Sequence, residues 1–529
     1  MNKPAVVLLG FVVAVGVVSA GGAWYTGKQL EPVLQTAIQN ANKELQTSMA
    51  GVDGTVALEL VSLERGVFSS TAHYRLKAQG AVFGEDNPNP ELLFVDHIEH
   101  GPLPLSRLVT LKWLPVMATS NYALETSPAL EQWFAASQGK SPVEGQASLG
   151  YDRSVSGNLR LNPVQVALDE DSNLDFSGLN IDFDSSAEAK QIEASGLMDS
   201  LKVSTKLSDS PEALSIEFKG LTLNSQTEKG SSDFYLGRNE VKLQTAQLVI
   251  GTNAPILAKD ISQLDETSEA DGKLAARSTY KIGMVSYQGQ DIGGMDMVSS
   301  VKNIDAAALQ SLLALYSDII KSTGQLQQAS LEAEDDLPQL SEAQKAQLMV
   351  DLEKLLAANP GIALEKLAFK TANGESSVSL ALDFAKPESF ELPAPELAKQ
   401  LITQLDAKVA VSKAMMSDVI GLQATFAGET DKEAVAQQAS MMTEMASGMA
   451  LSTELAKLEG DNIVTSLHYA DDKVDFNGKQ MSVEEFVAMA FASGAGLGMG
   501  GAAMGAEDPA MQELQLEEEE SVEEQVPVE

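Results

Sequence analysis

Leu174-Asp175-Phe176-Ser177-Gly178-Leu179-Asn180-Ile181-Asp182-Phe183 and, one segment later, Leu214-Ser215-Ile216-Glu217-Phe218-Lys219-Gly220-Leu221-Thr222-Leu223 alternate apolar residues with polar or small ones. A period of two gives an extended strand one apolar and one polar face. Asn158-Leu159-Arg160-Leu161-Asn162 and Val241-Lys242-Leu243-Gln244 repeat the pattern, with Gly, Asn, Asp and Ser between the runs, as turns require. Residues 145–303 are therefore expected to form a β-rich region, a long curved antiparallel sheet or sandwich. Its apolar face needs a cover: a second sheet, helices or a ligand.

On the C-terminal side, residues 304–492 read as an α+β region. Asp305 can cap a helix with Leu309, Leu312, Leu313, Tyr316 and Ile320 on one face. Ser341-Glu342-Ala343-Gln344 has the capping-box pattern and opens a second helix, which Asn359-Pro360-Gly361 ends. Strands are expected at 363–370 and 376–384, a helix at 394–405, a short strand at 408–411 and a long Met- and Ala-rich helix at 431–458. A strand pair at 463–469 and 473–476 leads to a last helix capped by Ser482 and Glu485. Strands followed by a helix thus recur three times, at unequal lengths. Residues 493–529 turn to Gly, Ala and Met and then to acid, a composition expected to stay solvated.

On the N-terminal side, residues 29–144 open with a helix at 31–49, on which Val33, Leu34, Ala37, Ile38, Ala41 and Leu45 recur near helical period. Before it, residues 1–28 hold an uncharged apolar run from Pro4 to Tyr25, about 20 residues and enough to span a bilayer as a helix. Lys3 on one side favours a cytoplasmic N-terminus, and Trp24 and Tyr25 suit an interface. Val18-Ser19-Ala20 also resembles a signal-peptide cleavage site. Both readings export the body; the uncleaved anchor is preferred.

Composition narrows the function classes. A chain of 529 residues exceeds one ordinary core, so two or three domains are expected. Apolar residues make up 44% and aromatics 5%, so Leu, Val, Ala and Met fill the interior. A net charge of −39 repels phosphate backbones and argues against nucleic-acid binding. It also argues against anionic headgroups in general, leaving acyl chains as the route for lipid contact. The chain has no cysteine, which excludes disulfides, thiolate metal sites and Cys nucleophiles.

Gly21-Gly22-Ala23-Trp24-Tyr25-Thr26-Gly27-Lys28, Arg65-Gly66-Val67-Phe68-Ser69-Ser70, His100-Gly101-Pro102-Leu103-Pro104-Leu105 and Asn477-Gly478-Lys479-Gln480-Met481-Ser482 with Glu485-Phe486-Val487 follow in this order. Together they resemble the YdgA/YihF family of Gram-negative envelope proteins, over nearly the whole chain except the Gly/Met stretch and acidic tail. The resemblance implies an inner-membrane protein facing the periplasm, dimeric, with no catalytic residues to carry over. The expected fold is then α+β: an N-terminal transmembrane helix followed by a large periplasmic body of long antiparallel β-sheets with covering helices.

Candidate chemistry is sparse. His97-Ile98-Glu99-His100 could chelate a metal on a helix, but its context reads as a strand, where the two histidines diverge, so no metal is assigned. No Gly-x-Ser-x-Gly occurs and no Gly-rich loop ends in Gly-Lys-Ser/Thr, and His73, His97, His100 and His468 are the only candidate bases. No cofactor is expected. Arg65, Phe68 and His100 are candidate contacts with a partner or second subunit; a turn with Phe68 in the core is the preferred alternative. Eleven of 19 methionines follow residue 414, and Met441, Met445 and Met449 recur at helical spacing. They are the candidate ligand-binding residues, against an ordinary core stripe. Two functions compete: a non-enzymatic protein binding a lipid, a lipoprotein or an envelope partner, and a homodimeric scaffold without bound ligand.

Overall fold

The computed structural model describes residues 30–48, 55–80, 91–109, 111–127, 130–168, 171–206, 212–323, 341–452 and 455–492. It begins with α1 (Leu30–Ser48), whose Leu34, Ala37, Ile38, Ala41 and Leu45 form a buried stripe. The stripe packs on β1 (Thr55–Arg65), β2 (Ser69–Gln79) and β3 (Glu91–His100), burying Leu58, Ala72, Tyr74, Phe94 and Ile98. Asn42 sets how helix and sheet align. Its amide nitrogen donates to the Leu58 carbonyl (2.9 Å), and its amide oxygen accepts from the Leu58 N–H (2.7 Å). Short α2 (Leu105–Val109) precedes β4 (Ala118–Leu124), where Ser120 Oγ donates to fully buried Asp96 (2.5 Å). Then come α3 (Glu131–Ala136), β5 (Val143–Leu149) and β6 (Val155–Leu161), with a small cluster of Tyr122, Ala147 and Leu159.

The sheet then lengthens. β7 (Val164–Ala167), β8 (Asn173–Phe176) and β9 (Leu179–Ser185) lead to β10 (Gln191–Lys206), β11 (Ala213–Lys229), β12 (Tyr235–Ile250), β13 (Ile256–Ala270), β14 (Lys273–Tyr287) and β15 (Gln290–Asp305). Strands of 15–17 residues are about 50 Å long. After α4 (Ala306–Thr323) and α5 (Glu342–Ala357) come β16 (Gly361–Lys370), β17 (Glu375–Phe384), α6 (Ala394–Leu401) and β18 (Ile402–Ser412). The chain ends its described part with α7 (Lys413–Phe426), α8 (Lys432–Ser452), β19 (Lys457–Glu459), β20 (Asn462–Ala470), β21 (Lys473–Phe476), β22 (Lys479–Ser482) and α9 (Val483–Ala492). All 22 strands of the described residues join one sheet, and the pairs are antiparallel between strands that follow closely in sequence. Helices sit in the connections. The expected caps are present: Asp305 Oδ1 accepts from Ala308 N (2.8 Å), Ser341 and Gln344 form a capping box, and Ser482 and Glu485 bond reciprocally.

A seam of irregular backbone crosses the long strands. The sequence pattern suggested one continuous strand at 174–183, but Ser177-Gly178 divides it into β8 and β9. Gly178 has a φ of 94°. At the same level β10 has Asp199, β11 Gly220, β12 Gln244, β13 Asp260 and β14 Gly283, each missing from the ladders on both sides. Gly220 (φ 68°) and Asp260 (φ 53°) are left-handed. A Cβ on Gly220 would lie 2.3 Å from the Gln244 side chain, so glycine is required there twice over.

Apolar residues change parity across this seam. Leu214, Ile216 and Phe218 are followed by Leu221 and Leu223; Val241 and Leu243 by Ala246, Leu248 and Ile250. A residue inserted at one level in every strand resets all their alternations together and leaves the pairing intact. The apolar side chains thereby stay on one face along the strands. The other face carries cross-strand ion pairs, among them Arg277–Glu365 (2.8 Å) and Lys302–Asp383 (2.9 Å).

The expected transmembrane helix lies outside the described residues, as does the acidic tail. Among the described residues no helix is long and apolar enough to cross a membrane. The large antiparallel sheet with accompanying helices agrees with the sequence reading. The strand expected at 408–411 is the end of an 11-residue strand, β18, and the helix expected at 394–405 stops at Leu401 because β18 pairs from Ile402 onward.

Candidate functional site

Among the described residues two apolar surfaces are left without cover. The first lies at the end of the N-terminal sheet. The β1–β2 turn and the β3–β4 connection meet there through His100, whose N–H donates to Phe68 O (2.8 Å). His100 Nε2 lies 3.0 Å from Ser70 Oγ, and Nδ1 3.3 Å from Val67 O. The structure thus brings the candidate contacts Phe68 and His100 together, with exposed Arg65 closing β1 beside them. Phe68 is not in the core: 83% of it is exposed, as is 83% of Val67. A three-residue reversal from β1 to β2, Gly66-Val67-Phe68, leaves no depth in which to bury the ring.

The β3–β4 connection is firmly built from beneath. Gly101 N donates to Met117 O (2.7 Å), and a Cβ on Gly101 would lie 2.0 Å from Val116 O. Ser106 N and Oγ both donate to Glu99 (2.9 Å each). The buried Arg107 guanidinium donates to Ser148 Oγ (3.1 Å) and Leu114 O (3.3 Å). Over this base, Leu105, Val109, Leu111, Trp113 and Leu114 all face outward, Leu114 with 78% of its surface exposed. Sequence reasoning missed this cluster. Its signal was available: no Asp or Glu occurs from Gly101 to Leu124 in a chain with 75 acidic residues.

The second surface is the long sheet. Among the described residues of the strands β11 to β18 themselves, Ala368 alone is a buried hydrophobic side chain; the others are half-buried or exposed, including Val241, Ile256, Ile362 and Phe369. α7 and α8 pack against each other beside it, Thr443 facing Ser417 and Ala439, Thr443 and Ser447 buried. Met441, Met445 and Met449 take the opposite, outward face of α8 and are 62–73% exposed. They are therefore remote from the α7 contact and form a stripe of their own. Between the helix pair and the β16–β17 turn lies an open cavity of about 420 Å³, lined by Asp291, Thr371, Asp418, Leu422, Lys432 and Ala439. Burial pushes the Asp418 carboxyl up, but hydrogen bonds from Thr371 Oγ1 (2.5 Å) and Asn373 Nδ2 (2.7 Å) outweigh it and hold Asp418 below the usual aspartate range.

Titratable groups elsewhere serve the fold. Burial, and secondarily the charge of Asp96, pushes the Tyr74 and Tyr122 hydroxyls well above an ordinary phenol. His73 lies 2.6 Å from Glu125 and His468 2.6 Å from Asp406, whereas the outer nitrogen of His100 faces a carbonyl oxygen rather than a carboxylate. Among the described residues no group of three or more His, Asp and Glu is placed to hold a metal ion.

The family model described as a bacterial protein of unknown function, DUF945, matches residues 1–484. Protein YdgA of Escherichia coli (strain K12) is 26% identical over 502 residues, covering 92% of this chain and 97% of that protein. The uncharacterized protein YihF of the same organism is 24% identical over 491 residues, covering 91% and 98%. An uncharacterized protein of Haemophilus influenzae is 24% identical over 336 residues, covering 60% and 88%. No solved structure matches the chain. The resemblance read from the spaced blocks thus holds over most of the sequence, and the chain belongs to the DUF945 family of bacterial proteins.

Proposed function

We propose that the chain is a non-enzymatic envelope protein, held in the inner membrane by its N-terminal apolar segment, whose long periplasmic sheet binds an acyl chain of a lipid or lipoprotein. The single observation behind this reading is the sheet that buries only Ala368 among its hydrophobic residues from β11 to β18. An apolar face this extended is rare on a protein surface without a partner, and each further Å² it buries contributes about 25 cal/mol. A second copy could cover the same face, making the protein a homodimeric scaffold. A net charge of −39 on each copy opposes that arrangement, whereas an acyl chain brings no charge to the face.

The test is binding of a fluorescent fatty acid to the full-length protein in mild detergent. Ile216 and Leu248 are partners across β11 and β12, on the apolar parity. Replacing both, Ile216→Asn with Leu248→Asn, is expected to abolish the signal. Replacement of Met441, Met445 and Met449 by Gln asks whether the α8 stripe shares the ligand. Absence of binding by the unaltered protein, with a stable dimer in its place, would turn the reading to the scaffold.

A further inference from the structure

We propose that the tip formed by Val67-Phe68 and the β3–β4 connection enters the surface of a lipid bilayer and holds the body against it. The inference rests on the membrane-anchored reading but not on the bound acyl chain. Three observations point to a bilayer over a protein groove. First, the exposed side chains project from a turn and a loop joined by the bond from His100 N–H to Phe68 O, with Arg107, Ser106 and Gly101 holding the loop from within. Second, its composition is that of an interface: Phe68, Trp113 and Leu114 stand beside the exposed Lys112, with no acidic residue from Gly101 to Leu124. The connection itself thus brings no carboxylate to the headgroups, and Glu99 at its start accepts from Ser106 N and Oγ.

The third observation is where the chain leads. The core cluster beneath α1 extends from Ala78 at one end of β2 to Ala72 and, on β3, Ile98 toward the other. Asn42, late in α1, is fixed at Leu58, early in β1. Helix and strand therefore run in opposite directions. Leu30, 12 residues before Asn42, is about 18 Å further along, toward the end where Arg65 and Phe68 stand. The apolar run from Pro4 to Tyr25 precedes α1 directly. The N-terminal end of α1, which follows that run in the sequence, and the exposed tip thus belong to the same end of the body.

The test uses the full chain, reconstituted into phosphatidylethanolamine–phosphatidylglycerol liposomes, with Trp24→Phe and Trp133→Phe so that Trp113 is the sole tryptophan. Lipids brominated near the ester end of the acyl chain should remove most of the Trp113 emission, and lipids brominated near the methyl end little of it. Adding Phe68→Asp and Leu114→Asp should restore the emission while circular dichroism keeps its β signal. A chain that floats with liposomes but keeps full Trp113 emission overturns the tip proposal alone. Unquenched yet blue-shifted emission also overturns it and assigns the tip to a protein partner. A chain that fails to float overturns the anchored reading, and the tip proposal with it.

Discussion

The N-terminal unit and the long sheet use the same strand pattern to opposite ends. In the first, α1 lies across β1–β4 and the apolar parity is sealed: Phe94, Ile98 and Leu34 have at most 2% exposure. In the second, strands up to 17 residues long carry apolar residues on one face and ion pairs on the other, and the described helices occupy the connections without covering the apolar face. A strand's alternation specifies that it has an apolar side. What covers that side depends on elements far away in the chain, or on another molecule.

Mutations can break this comparison. The largest effect is expected in the sealed unit, where Phe94→Ala should cost about 3–5 kcal/mol in chemical denaturation, since both contacts and a cavity are at stake. The seam comes next. Gly220→Val places a β-branched residue in left-handed backbone against Gln244, a cost of about 2 kcal/mol or more, read as loss of hydrogen-exchange protection in β11 and β12. A cost no greater than that of an ordinary strand glycine would mean the seam can straighten.

Smaller effects sharpen it. Asp418 is held below its ordinary range by Thr371 and Asn373, so its contribution is present above an unfolded aspartate value of about 3.9 and is lost as pH falls through the lower folded value. Exchange at the Asn373 amide should therefore accelerate on acidification below that range, and Asp418→Asn should remove the dependence. Least of all, Ile216→Ala on the open sheet should change stability by about 1 kcal/mol or less, because its side chain is only half-buried. A loss there comparable to that of Phe94→Ala would show that the sheet has a sealed core of its own.

Much of the fold was legible because period-two runs and capping boxes act locally. Asp305, Ser341 and Ser482 cap the helices their sequences announce. The seam was written in the sequence as well, in the parity change across Gly178 and Gly220, but two short alternating runs separated by glycine read as one. The site was less legible. The arrangement at 65–70 and 100–105 drew attention, yet Phe68 reads as a core residue because nothing local reveals that the turn projects beyond the sheet. Leu103 to Leu114 is marked in the sequence only by its lack of acidic residues, since exposure is decided by what fails to pack over it. Helical spacing of Met441, Met445 and Met449 identified a face but not its direction; small residues at 439, 443 and 447 made the closer helix contact.

The long sheet is proposed to hold an apolar ligand. The most direct measurement is native mass spectrometry of full-length protein extracted gently from membranes, with organic extraction of what it carries. Stoichiometric lipid is expected, lost from the Ile216→Asn, Leu248→Asn protein and kept by the Phe68→Asp, Leu114→Asp protein. A lipid-free protein, or lipid retained equally by both variants, would contradict it.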